Sequence, residues 1–228
     1  MTPPRAPHTG GPARRRTRDS HAGGRRPDAG RVRPCRSRRG PGAGQVSVEF
    51  VTDLAGPAGR LCTDFSAEQA TMLSLAAAAD TIRAVQAMPG WAAATGSLAE
   101  VFAGDRRWPG PVLLIATEIP QLGPDLLVCA TDLLRDFDAV LGPTTGDGWW
   151  AFGLREPARV ALGPLTGLGL LNGLGSLTVA ALRLGLRVAM LPTLRGLGSG
   201  ADVRPVAAHC PAGSMFATTV AQLTGRTM

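Results

Sequence analysis

The run Val112-Leu113-Leu114-Ile115-Ala116 constrains this chain more than any other feature. It is apolar at every position, with no alternation, and is bracketed by Gly110-Pro111 and Pro120. A strand of that kind is buried on both faces, and such strands sit at the centre of parallel sheets covered by helices. Ala139-Val140-Leu141-Gly142 repeats the pattern. Val46–Val51 alternates like a first strand. Trp149–Leu154 follows the turn Thr145-Gly146-Asp147-Gly148, and Arg187–Leu191 reads as a last strand. Between them lie helical stretches. Ser66 caps Ala67–Ala87 with Gln69 three residues on, the arrangement of a capping box, and Pro89-Gly90 stops it. Further helices are expected at Pro124–Arg135, Ser176–Leu184, Ala201–Ala208 and Ser214–Leu223. Gly56, Pro57 and Gly59 read as a loop, and residues 91–109 give no assignable pattern. The alternation predicts an α/β fold: a mixed, mostly parallel sheet with helices on both faces.

Charge divides the chain. All 24 basic residues are arginine. Residues 1–45 hold 12 of them against Asp19 and Asp28, a net +10, whereas residues 46–228 carry a net −3. The first 44 residues are rich in Arg, Gly and Pro and cannot bury enough apolar surface to offset chain entropy. They are expected to be a disordered tail, with residues 45–228 the folded domain. A mildly acidic domain offers no footprint for nucleic acid. Cys35, Cys62, Cys129 and Cys210 lack metal-ligand spacing, and Cys62 and Cys129 are expected to be small buried hydrophobes in a reducing compartment. No apolar run follows the basic N-terminus as a secretory signal requires, so a cytoplasmic protein is expected. Val160–Leu182 is uncharged, but it holds Pro164 and five glycines and is expected to be a buried loop and helix rather than a membrane span.

In sheets of this class ligands bind beyond the C-terminal ends of the strands. That rule singles out Glu118, the Asp147 turn and the loop after Leu194. A carboxylate at Glu118 can ligate a divalent cation, or be a solvated loop charge. Asp147 lies between Gly146 and Gly148, which would let a ligand approach the backbone; an ordinary Asp-Gly turn has the same sequence. Gly167–Gly175 does not match a dinucleotide fingerprint, and a chain without lysine has no Walker motif. No G-x-S-x-G elbow exists, and His209 stands alone, so a serine hydrolase is not expected.

Three blocks carry a family resemblance: Gly110–Leu122, Asp138–Pro143 and Asp147–Arg155. In this order and spacing the chain resembles a bacterial glycosyltransferase-like family of unknown function, labelled arsenosugar-biosynthesis glycosyltransferase-like. Leu186–Arg195 resembles that family's last strand, and Arg60-Leu61-Cys62 with Ser66–Ala70 its first helix. The resemblance implies a nucleotide-diphospho-sugar transferase fold, GT-A-like, here short of a strand between Pro89 and Gly110. It implies a metal-dependent glycosyltransferase-like protein using a nucleotide-sugar donor and an unknown acceptor. Glu118 and Asp147 would hold Mg²⁺ or Mn²⁺, Arg60 and Gly148 would bind the donor, and Asp147 would be catalytic. The chain departs from the family in its first loop, which has neither Lys nor Thr, and at Gly196–Ser199, which has no acid. A nucleotidyltransferase on the same fold and a non-catalytic binding relative are the alternatives.

Overall fold

The computed structural model describes residues 47–51, 57–88, 92–96, 110–146, 148–157 and 184–225, all within the compact unit Pro34–Met228. The expected tail, the uncharged span, most of the Ser176–Leu184 helix and Asp147 lie outside the described residues. Six strands form one sheet: β1 (Ser47–Val51), β2 (Ala92–Gly96), β3 (Val112–Ala116), β4 (Ala139–Pro143), β5 (Trp149–Leu154) and β6 (Val188–Met190). Their order is β2-β1-β3-β5-β4-β6. β1 pairs parallel to β2 and β3, and β4 parallel to β6, while β5 runs antiparallel between β3 and β4. The sheet is therefore mixed and mostly parallel. The parallel strands β1, β2, β3, β4 and β6 all end on one edge.

Five helices are described: α1 (Pro57–Leu61), α2 (Ala67–Gln86), α3 (Pro124–Asp136), α4 (Gly200–Ala207) and α5 (Met215–Thr224). α2 begins as its sequence dictates. Ser66 Oγ accepts from Gln69 N at 3.2 Å, and Gln69 Oε1 accepts from Ser66 N at 3.0 Å, which satisfies N–H groups a helix start leaves unpaired. α1 differs from the expected loop, since Pro57 suits the first position of a helix, where no N–H is needed. β2 lies in the stretch left unassigned. Its sequence Ala-Ala-Ala-Thr-Gly carries little strand propensity, and its register against β1 makes it a strand.

β3 is buried at the four positions from Val112 to Ile115. Leu113 and Ile115 face a core shared with Val140, Ala151, Val85 of α2 and Leu127, Ala130 and Leu134 of α3. Val112, Leu114, Leu141, Phe152 and Leu154 share the opposite face and are also buried. A bulge in the β4–β5 ladder leaves Trp150 without a partner residue. Its ring packs over Gly142, where a Cβ would come within 2.5 Å of it, and its Nε1 donates to Pro192 O at 2.9 Å. A second core joins Leu61, Leu73, Ala77, Leu197, Val206 and Phe216. It belongs to the helices and fixes α1, α4 and α5 against α2. No helix among the described residues is long and apolar enough to cross a membrane.

Candidate functional site

Glu118 lies two residues past β3, in a loop held from both sides. Ile119, Pro120 and Leu122 are buried, and Leu122 N donates to Ile119 O at 2.9 Å. Thr81 of α2 has its hydroxyl 2.9 Å from Ala77 O and 3.1 Å from Thr117 O. The peptide that precedes Glu118 is thus tied to a buried helix position. Across this loop the end of α1 presents Arg60. Its Nη2 donates to Glu118 Oε2 at 2.8 Å; the Glu118 side chain is 14% exposed and that of Arg60 47%. Leu61, fully buried, anchors the helix that carries the guanidinium. Two residues selected separately from the sequence, one for a cation and one for phosphate, are therefore bonded to each other.

The other two predicted loops meet on the same edge. Thr144 and Leu194 form a parallel bridge. Thr145 N donates to Leu194 O at 2.8 Å, and Leu194 N to Pro143 O at 3.0 Å. Thr144 N donates to Gly148 O at 3.0 Å and closes the turn. Gly146 has φ +104, and a Cβ on Gly148 would lie 2.6 Å from Thr144 Oγ1. Gly146 needs glycine for its backbone conformation, and at Gly148 a Cβ would meet the Thr144 side chain, so packing within the turn accounts for both glycines. Asp147, between them, lies outside the described residues. Gln121 joins this part to the Glu118 loop, with its Nε2 donating to Arg195 O at 2.6 Å. The side-chain oxygen of Gln121 is buried with no hydrogen-bond partner among the described residues. The loops after β3, β4 and β6 thus make one connected rim. Thr81 and Gln121 as positioning residues escaped the sequence reading, because their partners lie 36 and 74 residues away and leave no local signal.

The described carboxylates around this rim are bonded to other groups of the protein. Glu118 is bonded to Arg60. Asp64 Oδ2 accepts from Gly200 N at 2.9 Å. Asp202 Oδ2 accepts from Ser199 N and Oγ, both at 3.0 Å, and its Oδ1 lies 3.4 Å from Arg195 Nη1. No three His, Cys, Asp or Glu side chains gather among the described residues. Divalent cations such as Mg²⁺ take about six oxygen ligands, commonly one or two protein carboxylates, with substrate phosphates and waters completing the shell. The Arg60 guanidinium occupies Glu118 Oε2, so in this arrangement the cation beside the carboxylate is the arginine.

A groove of about 850 Å³ opens between α4 and α5. Ala207, Cys210, Ser214, Ala217 and Thr218 are among its walls, and no charged residue lines it among the described residues. Cys129 is buried as expected, whereas Cys62, just after α1, is exposed. Burial pushes the Cys210 thiol up to about 11; a hydrogen bond with Ser214 opposes this, and the Asp80 carboxylate adds to the rise. The thiol is therefore protonated and unreactive near neutral pH, and the groove lacks the charge that the rim supplies.

The fold is that of nucleotide-diphospho-sugar transferases. A candidate nucleotide-diphospho-sugar transferase of Desulfovibrio desulfuricans superposes with a TM-score of 0.58 at 16% identity, over 79% of this chain and 95% of that one. Residues 67–165 match the family described as "Uncharacterized protein conserved in bacteria (DUF2064)", which bears out the bacterial family of unknown function read from the sequence. A Mycobacterium tuberculosis protein, Rv0371c, is similar at 18% identity with a TM-score of 0.42, over 71% of this chain and 96% of that one. The same protein solved in complex with manganese gives 16% identity and a TM-score of 0.38, with the same coverages. Likenesses as low as these last two carry no argument about this chain. No curated protein matches it in sequence.

Proposed function

We propose that this protein binds a nucleotide-diphospho-sugar at the rim beyond β3, β4 and β6 and transfers the sugar to an acceptor. The pairing of Arg60 with Glu118 at the C-terminal end of the central strand carries this reading. It sets a half-exposed guanidinium, the group best suited to phosphate oxygens, at the edge where ligands of such sheets bind. In this reading Arg60 takes the donor's phosphates and Glu118 orients Arg60. The backbone at Gly148 borders the donor. Asp147 takes the proton of the acceptor hydroxyl, which requires it to come within hydrogen-bond reach of that hydroxyl. Mg²⁺ or Mn²⁺ on Glu118 and Asp147 is the arrangement the family resemblance implies, with Arg60 as the hydrogen-bond partner of the ligating carboxylate. Residues 45–228 act as the transferase domain, in the cytoplasm, with residues 1–44 a tail outside it.

Thermal unfolding with UDP-, GDP- and ADP-sugars tests the proposal. A ligand at about 100 times its dissociation constant stabilises the native state by about 2.7 kcal/mol. The expected result is a rise in melting temperature with one nucleotide class, accompanied by transfer or hydrolysis of its sugar. Binding without turnover of any donor would replace the enzyme by a non-catalytic nucleotide-binding relative. Release of pyrophosphate instead would make it a nucleotidyltransferase.

A further inference from the structure

We propose that Arg60, held by Glu118, stands in for the divalent cation, so that the diphosphate of the donor binds without a metal. This inference rests on the transferase reading and concerns the cation requirement of the same site.

Four observations support it. The guanidinium already lies against Glu118 Oε2, at 2.8 Å, so the two residues fill a cation-and-carboxylate arrangement by themselves. Only one N–H is spent on that bond, and a guanidinium has five. With the Arg60 side chain 47% exposed, its outer edge faces the solvent from which a diphosphate arrives. Glu118 is held from behind, through Thr81 and the buried Ile119 and Leu122, so the arginine it orients is positioned rather than searching. Asp64 and Asp202, the other described carboxylates of these loops, are spent on Gly200 N, Ser199 and Arg195. They are not arranged to complete a metal shell.

The chemistry is consistent. A diphosphate needs positive charge and directed N–H donors, and arginine supplies both in a fixed fork. The charge balance then separates the two arrangements by sign. If Glu118 ligates a metal, removing its charge destroys donor binding. If Glu118 only orients Arg60, removing its charge leaves Arg60 uncompensated and more attractive to a dianion.

The test is a titration of the full chain with UDP, GDP and ADP, by calorimetry, in EDTA and again with Mn²⁺. Glu118→Gln, Arg60→Ala and Arg60→Lys are measured in parallel. The expected result is binding of one nucleoside diphosphate with equal affinity in EDTA and in Mn²⁺. Arg60→Ala weakens it about tenfold to hundredfold, the loss of a charge-assisted contact. Arg60→Lys recovers only part of that, and Glu118→Gln retains metal-independent binding, because its amide oxygen still accepts from Arg60 while the competing negative charge is gone. Binding that appears only with Mn²⁺ and vanishes in Glu118→Gln overturns this inference and leaves the transferase reading standing. No binding of any nucleotide under either condition, by a chain that melts cooperatively, overturns both. Arg60 is half exposed, so its variants retain the fold, and circular dichroism verifies this before titration.

Discussion

Asp80 is a buried carboxylate on α2, 6% exposed, and it holds the start of α5 from 134 to 136 residues away. Its Oδ2 accepts from Ser214 Oγ at 2.7 Å and Phe216 N at 2.8 Å, and its Oδ1 from Met215 N at 3.0 Å and Arg83 Nη1 at 3.3 Å. Ser214 Oγ in turn accepts from Ala217 N at 3.0 Å. The first turn of α5 is therefore capped from another helix. Asp80→Ala strands the buried Phe216 N–H and Ser214 hydroxyl; water takes the N–H of the exposed Met215. Each buried donor without a partner costs about 1–3 kcal/mol, offset in part by no longer burying a charge, so the expected loss is about 3 kcal/mol. For a chain of this size that lowers the melting temperature by about 6–12 °C. Asp80→Asn keeps one acceptor oxygen and turns the other position into a donor, so about 1–2 kcal/mol is expected. Urea unfolding followed by circular dichroism and tryptophan fluorescence measures both. In a double-mutant cycle with Ser214→Ala, the combined loss should fall short of the sum by about 1 kcal/mol or more. A loss under about 1 kcal/mol for Asp80→Ala at unchanged m-value, or equal losses for Ala and Asn, would falsify the capping account.

Two further outcomes follow from other parts of the fold. Asp138 accepts from Arg187 N at 2.9 Å and Arg187 Nε at 3.2 Å and is ion-paired with Arg155, joining the starts of β4 and β6 to the end of β5. The Arg187 backbone N–H and then its side chain hold this carboxyl below the usual range; burial opposes them, and the Arg187 and Arg155 charges add to the lowering. A depressed pKa contributes stability that is fully present above the unfolded value and lost as pH falls through the folded one. The melting temperature of Asp138→Asn should therefore be below wild type at pH 6, with the gap closing toward pH 3; a gap that does not narrow would remove the linkage. At Gly153 a Cβ would lie 2.6 Å from Val140 Cγ2 and 3.0 Å from Leu113 Cδ1 and Leu134 Cδ1, so Gly153→Ala should cost about 1–3 kcal/mol in chemical denaturation by overpacking. Adding Val140→Ala should recover part of that, and additive losses would mean that contact is not the cause.

Part of the site was legible in sequence because its signals are local. An apolar run ending in Ala116 locates a central strand, and a carboxylate just beyond it lies where ligands of such sheets bind. Arg60 came from the family resemblance. Their bond did not, since 58 residues separate them and nothing near either residue encodes the other. The same holds for Gln121 with Arg195 and Asp80 with Ser214. Gly146 and Gly148 were noted as room for a ligand, yet a positive φ and the contact with Thr144 account for them.

The sequence by itself determined the elements whose stability is decided within a few residues: α2 through its Ser66–Gln69 box, α3 through Pro124, and β3 and β4 through continuous apolar runs. Caps, proline geometry and apolar periodicity act over one or two turns of chain, so they are readable in one dimension. Only the tertiary structure decided that Ala92–Gly96 is a strand, that β5 enters antiparallel between β3 and β4, and that Arg60 meets Glu118. A strand of alanines gains its hydrogen bonds from a neighbour, and an ion pair exists only when two backbones bring its halves together. Those free energies belong to contacts between distant segments, and no segment carries them alone.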